Sequence, residues 1–206
     1  MLNLETKKLS LQSKNIAVLI SGGGTNLQAL IDNEKDFNGK IKIVISNKKD
    51  AYGLVRAKNN NIDTFVIRDN EVLLKTLKEN NIDLIVLAGY LKILPKSIIR
   101  EFENKIINIH PSLIPAFCGD GFYGMRVHEA VINKGVKYSG ATTHFVNEFA
   151  DEGPIIMQKA LEVLDSDAEE LQKRVLEIEH DILVQSVKYF CDDKLKVVNG
   201  KVMIGE

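Results

Sequence analysis

Short apolar runs and amphipathic segments alternate along the first half of the chain. Five runs rich in Ile, Val and Leu predict strands buried on both faces, at residues 15–20, 41–46, 64–67, 84–87 and 106–109. Four segments between them have apolar residues at helical spacing, at residues 26–31, 54–59, 72–80 and 95–102. This alternation predicts an α/β fold, with a single doubly wound, mostly parallel sheet and helices on both faces.

The pattern changes in the last third of the chain. Residues 141–146 and 154–163 predict two longer strands, and residues from about 168 to 190 predict one long helix. Asp165 or Ser166 is placed to cap this helix, and Glu169 has the spacing of a capping box with Ser166. Residues 195–204 predict a hairpin whose turn is Asn199-Gly200.

Composition narrows the class of protein. The 206 residues contain no Pro- or Ser-rich linker, which predicts one domain over residues 1–206, with residues 1–13 as an N-terminal extension. The net charge of −1, with interspersed acids and bases, gives no basic surface for nucleic acid, and no apolar run approaches the roughly 18 residues of a membrane span. Cys118 and Cys191 lack metal-ligand spacing. We therefore expect small-molecule partners, no nucleic acid, membrane or metal, and a cytoplasmic protein.

The most informative short motif is Asn108-Ile109-His110-Pro111. Residues two apart on a strand share a face, so Asn108 and His110 project together while Ile107 and Ile109 pack behind them. Pro111 has no N–H to donate and ends the strand. An amide and a titratable imidazole then meet at a strand end, where open α/β sheets carry their chemistry. Taken alone, the motif is equally compatible with a histidine packed in the core.

A glycine loop, Ser21-Gly22-Gly23-Gly24-Thr25-Asn26, joins the first strand to a helix that opens at Leu27. Glycines let the backbone approach an anion, and the free N–H groups and dipole of a helix start favour phosphate. A dinucleotide fingerprint would have glycine at Leu27, and the Gly-Lys-Ser/Thr of nucleoside triphosphatases is absent. A terminal phosphomonoester fits this loop better; a glycine turn used only for packing is the alternative.

A third group of candidate residues lies around the sixth predicted strand. His144 lies within that strand, and Asp151 opens the loop Asp151-Glu152-Gly153-Pro154. By itself Asp151 is typical of a loop-capping residue. Beside His110, its carboxylate would raise the pKa of the imidazole and fix its orientation.

Six segments, in order and well spaced, resemble a single family. They are residues 21–26, 86–94, 108–115, 144–145 and 151–154, and Arg174-Val175 with Glu179-His180. Together they resemble phosphoribosylglycinamide formyltransferase of the monofunctional bacterial type, over almost the whole chain after the first dozen or so residues. The resemblance implies a Rossmann-like formyltransferase fold. It also implies transfer of the formyl group of 10-formyltetrahydrofolate to the glycinamide amine of 5-phosphoribosylglycinamide, a step of de novo purine biosynthesis.

The resemblance implies a role for each matched position. It makes Asn108, His110 and Asp151 the catalytic residues, with His144 in support. The ribonucleotide would contact Gly23, Gly24, Thr25, Asn26 and Glu179. The folate would contact Asn108 together with Tyr90, Leu91, Lys92, Ile93 and Leu94.

These residue types suit formyl transfer. Attack of an amine on a formyl carbon creates an oxyanion, which the amide of Asn108 and a protonated His110 can stabilise. Asp151 would keep that imidazolium oriented and charged, and through a bound water the cluster can move a proton from the amine to the departing folate nitrogen. No covalent enzyme intermediate is required. Cys118 has no cationic cluster nearby in sequence, so we expect a loop residue rather than a nucleophile.

The chain departs from the family's usual pattern at three places. Lys92 stands where arginine is usual, and Leu176 stands where glutamine is frequent, which affects one folate contact and one ribonucleotide contact. Residues 116–125 replace a shorter loop and contain three glycines, Gly119, Gly121 and Gly124. They predict a mobile lid over the folate site. His128, which follows, falls on a helical pattern and is expected at the surface or in packing.

Other functions stay open at this stage. Formyltetrahydrofolate deformylase and methionyl-tRNA formyltransferase share the Asn-x-His-Pro-Ser-Leu core and a distant Asp, but usually carry a further domain for which this length leaves no room. A non-catalytic folate or nucleotide sensor would keep only the pockets. The joint presence of Asn108, His110 and Asp151 favours the transferase, as a monomer or homodimer.

Overall fold

A seven-stranded sheet forms the centre of the structure, a computed structural model that describes residues 12–164 and 167–205. Its strands are β1 (Lys14–Ile20), β2 (Gly39–Ser46), β3 (Asp63–Val66), β4 (Leu84–Leu87), β5 (Ile106–His110), β6 (Tyr138–Phe145) and β7 (Ile155–Glu162). The helices are α1 (Thr25–Asp32), α2 (Tyr52–Asn59), α3 (Asn70–Glu79), α4 (Lys96–Glu101), α5 (Met125–Lys134) and α6 (Ala168–Cys191), with a 3₁₀ turn at Glu34–Asp36. Strands β8 (Leu195–Val198) and β9 (Lys201–Ile204) form a separate hairpin.

The strand order β3-β2-β1-β4-β5-β6-β7 confirms the doubly wound, mostly parallel sheet. Strands β1 to β5 are parallel, while β6 and β7 are antiparallel to their neighbours. The winding reverses between β1 and β4, because β2 and β3 lie on one side of β1 and the later strands lie on the other. Open α/β sheets bind ligands beyond the carboxyl ends of their strands at such a switch point.

Two apolar layers cover the two faces of the sheet. Ile107 and Ile109 of β5 belong to the layer beneath α1, α2, α5 and α6, as predicted for the residues behind Asn108 and His110. Ile106 belongs to the opposite layer, beneath α3 and α4. Helix α6 crosses β6 and contacts α1 and α5, so its buried residue Glu179 lies close to the glycine loop.

The predicted elements are confirmed with shifted ends, and a few details are corrected. Helix α1 begins at Thr25 rather than at Asn26 or Leu27, because Gly24 occupies the N-cap with φ 71°. Asp165 and Ser166 lie outside the described residues, and the side chain of Asp167 caps α6 by accepting hydrogen bonds from the N–H groups of Glu169 and Glu170. The helical pattern around His128 is confirmed as α5, and the 3₁₀ turn is an addition to the predicted elements.

The C-terminal hairpin is confirmed with its turn where the sequence predicts it. Asn199 and Gly200 have φ values of 51° and 73°, the left-handed conformations that a tight hairpin turn requires. Among the described residues, no helix is both long enough and apolar enough to span a membrane.

Candidate active site

Two cavities lie at the carboxyl edge of the sheet. The larger, of about 660 Å³, is lined by residues after β4, by Asn108 of β5 and by the loop that contains Asp151. The smaller, of about 420 Å³, is lined by the glycine loop, by residues after β5 and by α5 and α6. Leu91 contributes to both linings, and consecutive residues of β5 line one cavity each, Asn108 the larger and Ile109 the smaller, so the cavities adjoin beside the end of β5.

Strand pairing brings Asn108 and His144 together. They are opposite each other on the antiparallel strands β5 and β6, and Asn108 Nδ2 lies 3.1 Å from His144 Nε2. His144 Nδ1 lies 2.9 Å from the carbonyl oxygen of Phe145, which holds the ring in place. His144 is 2% exposed, so it supports the site from within the core.

Asp151 lies between the two imidazoles, 43 residues after Asn108 in the chain. Its Oδ2 is 3.6 Å from Nδ1 of His110, and its Oδ1 is 3.5 Å from Nε2 of His144 and from Nδ2 of Asn108. The backbone N–H of Gly119 donates a hydrogen bond of 2.9 Å to Oδ2. The structure thus brings together all four residues predicted for catalysis and its support.

Burial reverses the expected pKa shift of His110. Desolvation lowers the pKa of this imidazole and outweighs Asp151 and the Phe117 carbonyl, which both favour the charged form. Asp151 does raise this pKa, as predicted, but the net shift is downward. The protonated His110 expected for the oxyanion is therefore not the resting form, because the sequence does not encode burial. Burial also raises the pKa of Asp151, but His144, His110 and the Gly119 N–H more than compensate, so that pKa is lowered. The resting pair is a carboxylate beside a neutral imidazole.

The loop after β5 is hydrogen-bonded to the same cluster. His110 Nε2 donates to the carbonyl of Phe117 at 2.9 Å, and Gly119 donates to Asp151. Cys118, between them, donates its thiol to the Pro115 carbonyl at 3.3 Å. Burial, Asp151 and Glu152 raise the pKa of the Cys118 thiol, in agreement with a loop residue and not a nucleophile.

Packing explains Gly24 of the glycine loop but not Gly22 or Gly23. A Cβ on Gly24 would lie 2.7 Å from the Cα of Gly53, so packing against α2 explains this glycine. A Cβ on Gly22 or Gly23 would meet no atom within 4 Å beyond its chain neighbours, so packing does not explain these two glycines. Both line the smaller cavity together with Thr25 and Asn26, at the start of α1.

Glu179 and Asn26 meet inside this smaller cavity. Asn26 Nδ2 donates to Glu179 Oε2 at 2.8 Å, while Asn26 Oδ1 is buried without a partner among the described residues. Burial raises the pKa of Glu179 to about 7, although the Asn26 hydrogen bond lowers it. A buried carboxyl and an unpaired amide oxygen are suited to accept hydrogen bonds from hydroxyl groups.

His128 lies deeper in the molecule than its sequence context indicates. It is 1% exposed on α5, lines the smaller cavity, and its Nδ1 has no hydrogen-bond partner in the described residues. Burial, with a smaller effect from His110, lowers the pKa of His128 to about 4. The packing alternative for His128 is confirmed and the surface alternative is wrong. The local sequence signal was limited to a helical pattern.

Residues 14–187 match the family described as formyl transferase. Over 196 residues the chain is 42% identical to a phosphoribosylglycinamide formyltransferase of Haemophilus influenzae, covering 89% of this chain and 90% of that protein. The chain belongs to the phosphoribosylglycinamide formyltransferase family. The family resemblance read from the sequence is thereby confirmed.

A plant and a bacterial member give the scale of the similarity. The chain is 40% identical to the chloroplastic phosphoribosylglycinamide formyltransferase of Vigna unguiculata over 91% of its own length, and it spans about two thirds, 64%, of that relative's length. The glycinamide ribonucleotide transformylase 1 structure of Symbiobacterium toebii superposes with a TM-score of 0.89 at 37% identity, covering 95% of both chains.

All six residues that the family resemblance predicts for the folate line the larger cavity, namely Asn108 and residues 90–94. Lys92, where the family resemblance predicts arginine, donates its Nζ to Asn70 Oδ1 at 2.7 Å and to the carbonyl of Arg68. Its ammonium is thus bound to the start of α3. Leu176, where the family resemblance predicts glutamine, lines the smaller cavity. Among the described residues, no group of three or more His, Cys, Asp or Glu is arranged to hold a metal ion.

Proposed function

We propose that this formyltransferase moves the formyl group of 10-formyltetrahydrofolate to the glycinamide amine of 5-phosphoribosylglycinamide. The products are formylglycinamide ribonucleotide and tetrahydrofolate, within de novo purine (IMP) biosynthesis. The observation that carries this proposal is that Asn108, His144 and Asp151 line one of two adjoining cavities of different chemistry, while Ile109 and Pro111, the chain neighbours of His110, line the other. One cavity takes the formyl donor and the other takes the acceptor.

The larger cavity suits the folate. Residues 90–94 and apolar residues such as Leu87 and Val146 line it, together with Asn108. A flat pterin ring needs such a slot, with apolar faces and backbone hydrogen bonds along an edge. Lys92, bound to Asn70, acts here through its main chain.

The smaller cavity suits the ribonucleotide. The start of α1 supplies N–H groups without intrahelical acceptors for a terminal phosphate, because Gly24 leaves the helix N-cap without a side-chain hydrogen bond. Glu179, held by Asn26, accepts the hydrogen bonds of the ribose diol. The glycinamide amine then extends past Ile109 and Pro111 toward His110.

The chemical step uses the charge state of the cluster. The amine nitrogen forms a bond to the formyl carbon, and the amide N–H of Asn108 donates to the developing oxyanion. His110, neutral at rest, accepts the proton that the amine loses, and the Asp151 carboxylate stabilises the imidazolium. Return of this proton to the folate nitrogen accompanies cleavage of the old carbon–nitrogen bond, acid–base help worth roughly 10² to 10⁴-fold in rate.

A turnover assay with both substrates tests the proposal. We expect formylated ribonucleotide and tetrahydrofolate in equal amounts, and we expect the riboside that lacks phosphate to be a poor acceptor. Equal efficiency with the riboside would overturn the phosphate assignment. Release of formate without an acceptor would instead identify a deformylase, and folate binding without turnover would identify a sensor.

We further propose that residues 1–206 act as one domain, in the cytoplasm, as a monomer or homodimer. The family match over residues 14–187 supports a single catalytic unit. Sedimentation of the full chain with and without both substrates decides between the two oligomeric states, and a stable complex larger than a dimer would contradict this part of the proposal.

A further inference from the structure

Helix α2 holds the glycine loop through two consecutive carbonyl groups. The N–H of Gly53 donates to the carbonyl of Gly22 at 3.0 Å, and Nε of Arg56 donates to the carbonyl of Gly23 at 2.9 Å. A trans peptide unit directs its N–H opposite to its C=O. These two bonds therefore turn the N–H groups of Gly23 and Gly24 away from α2.

The guanidinium of Arg56 is itself held in place. Its Nη1 donates to Oε1 of Gln28 at 3.3 Å, and its Cζ lies 5.2 Å from the ring centroid of Tyr52. Such stacking favours a fixed guanidinium plane. Arg56 does not line the smaller cavity, so any effect on a ligand passes through the loop and through its charge.

The positive charge of Arg56 lies near the positive end of the dipole of α1. None of the ion pairs found across residues 12–164 and 167–205 includes Arg56. The start of α1 carries the positive end of that helix's dipole, which repels a cation and attracts an anion. An unneutralised guanidinium bonded to Gly23 raises the positive potential there further, and a bound anion offsets both.

We infer that Arg56 is a positioning residue for the substrate phosphate, which fixes the Gly23–Gly24 peptide and adds positive potential at the start of α1. This inference rests on the proposed function for the identity of the substrate. A second observation points to a ligand here: Asn26, 8% exposed in the same cavity, has a buried Oδ1 without a partner among the described residues. Binding of the unphosphorylated part of the acceptor does not depend on Arg56.

Calorimetry with ribose 5-phosphate, and with ribose as the compound without phosphate, tests the inference without turnover. We expect Arg56→Met to weaken ribose 5-phosphate binding about tenfold, because the Gly23–Gly24 peptide is no longer fixed and one positive charge near the phosphate is lost. Lys58→Met removes the same charge from the exposed side of α2 and should change binding less than about twofold. Arg56→Lys keeps the charge and one donor and should recover most of the affinity.

Kinetics separates positioning from a general structural role. Arg56→Met should raise KM for the phosphorylated acceptor with kcat and the folate KM unchanged, and it should leave the riboside unaffected. Equal losses with ribonucleotide and riboside, or unchanged ribose 5-phosphate affinity, would overturn the inference.

Gln28→Ala removes only the hydrogen bond that Nη1 of Arg56 donates, and it should raise KM for the phosphorylated acceptor less than Arg56→Met does. This variant tests the inference if Arg56→Met does not fold. If the wild type transfers no formyl group but Arg56→Met still loses phosphate affinity, the proposed function fails and the role of Arg56 stands.

Discussion

The catalytic cluster and the smaller cavity use buried polar groups in opposite ways. Asn108, His110, His144 and Asp151 hydrogen-bond or pair with one another and with the backbone of the loop after β5. In the smaller cavity, Asn26 and His128 each keep a buried atom without a partner in the described part of the chain. Glu179 has one hydrogen bond and a pKa of about 7.

This difference indicates which part is preorganised and which part is completed by its ligand. Satisfied polar groups in a cluster keep their geometry before substrate arrives, which is what stabilisation of a transition state requires. Buried groups without partners cost free energy in the empty protein, and a ligand that pairs with them recovers that cost as affinity. Substitutions in the cluster should therefore change kcat, and substitutions in the smaller cavity should change binding.

Asp151→Asn has the largest expected effect. The isosteric amide keeps the packing but removes the charge that stabilises an imidazolium at His110, so kcat should fall roughly 10² to 10⁴-fold. Affinities for both substrates, measured by calorimetry, should stay within about tenfold, or ~1.4 kcal/mol. Asp63→Asn, at the exposed amino end of β3, is the charge-matched control. Near-normal kcat with weaker folate binding would make Asp151 a pocket residue.

The pairing of Asp151 with His110 can be tested by a double-mutant cycle. His110→Asn should reduce kcat by a similar factor, because the proton acceptor is lost. The double variant should lose much less than the product of the two single losses, since residues that act as one unit are not additive. Fully multiplicative losses in single-turnover measurements would mean that the two side chains act independently.

Glu179→Gln should act on acceptor binding and on its pH dependence. Loss of the charge-assisted hydrogen bonds to the ribose should weaken ribonucleotide binding about 10- to 100-fold, with the folate KM unchanged. The wild-type carboxyl, with its pKa of about 7, must ionise to accept both hydroxyl donors, so wild-type affinity should rise as the pH passes through this value. The variant should lack this rise. Glu177→Gln, on the exposed side of α6, is the control, and a wild-type affinity that is flat with pH would contradict the assignment.

The same carboxyl should make folding stability depend on pH. The pKa of Glu179 is raised from 4.5 to about 7 in the folded state, so its contribution is fully present below pH 4.5 and is lost as the pH rises through about 7. In urea unfolding, the free energy of unfolding of Glu179→Gln relative to wild type should be higher at pH 8 than at pH 5, by on the order of 2 kcal/mol. For His128 the sign is opposite, because its pKa falls from 6.5 to about 4: its contribution is lost as the pH falls through about 4. An identical pH dependence in wild type and Glu179→Gln would disprove the buried carboxyl.

The smallest expected effect is a change in amide exchange in the loop of residues 117–125, beside the folate cavity. Its hydrogen bonds to His110 and Asp151 join it to the cluster, and Gly119 and Asp120 line the larger cavity. Folate should therefore slow amide exchange in this loop by several-fold more than the ribonucleotide does. Equal, fast exchange in every ligand state would rule out a lid.

Local pattern was sufficient to predict most of the sheet and part of the site. Short apolar runs between helical segments predict β1 to β5. Side chains two residues apart share a face in any strand, so the sequence also places Asn108 and His110 on one face. The turn at Asn199-Gly200 is likewise local. The 3₁₀ turn and the cap at Asp167 were missed, because short helical turns and helix ends depend on tertiary contacts as much as on sequence.

The sequence by itself determined the order of elements, the strand-end motif and the family. Only the tertiary structure decided how distant residues act on one another: Asp151 between two histidines, Glu179 against Asn26, and Arg56 on the carbonyl of Gly23. It also decided the sign of the His110 pKa shift, because the free energy of a charge depends on how much water the fold removes. Burial and contacts between distant segments are properties of packed layers, which no local spacing encodes.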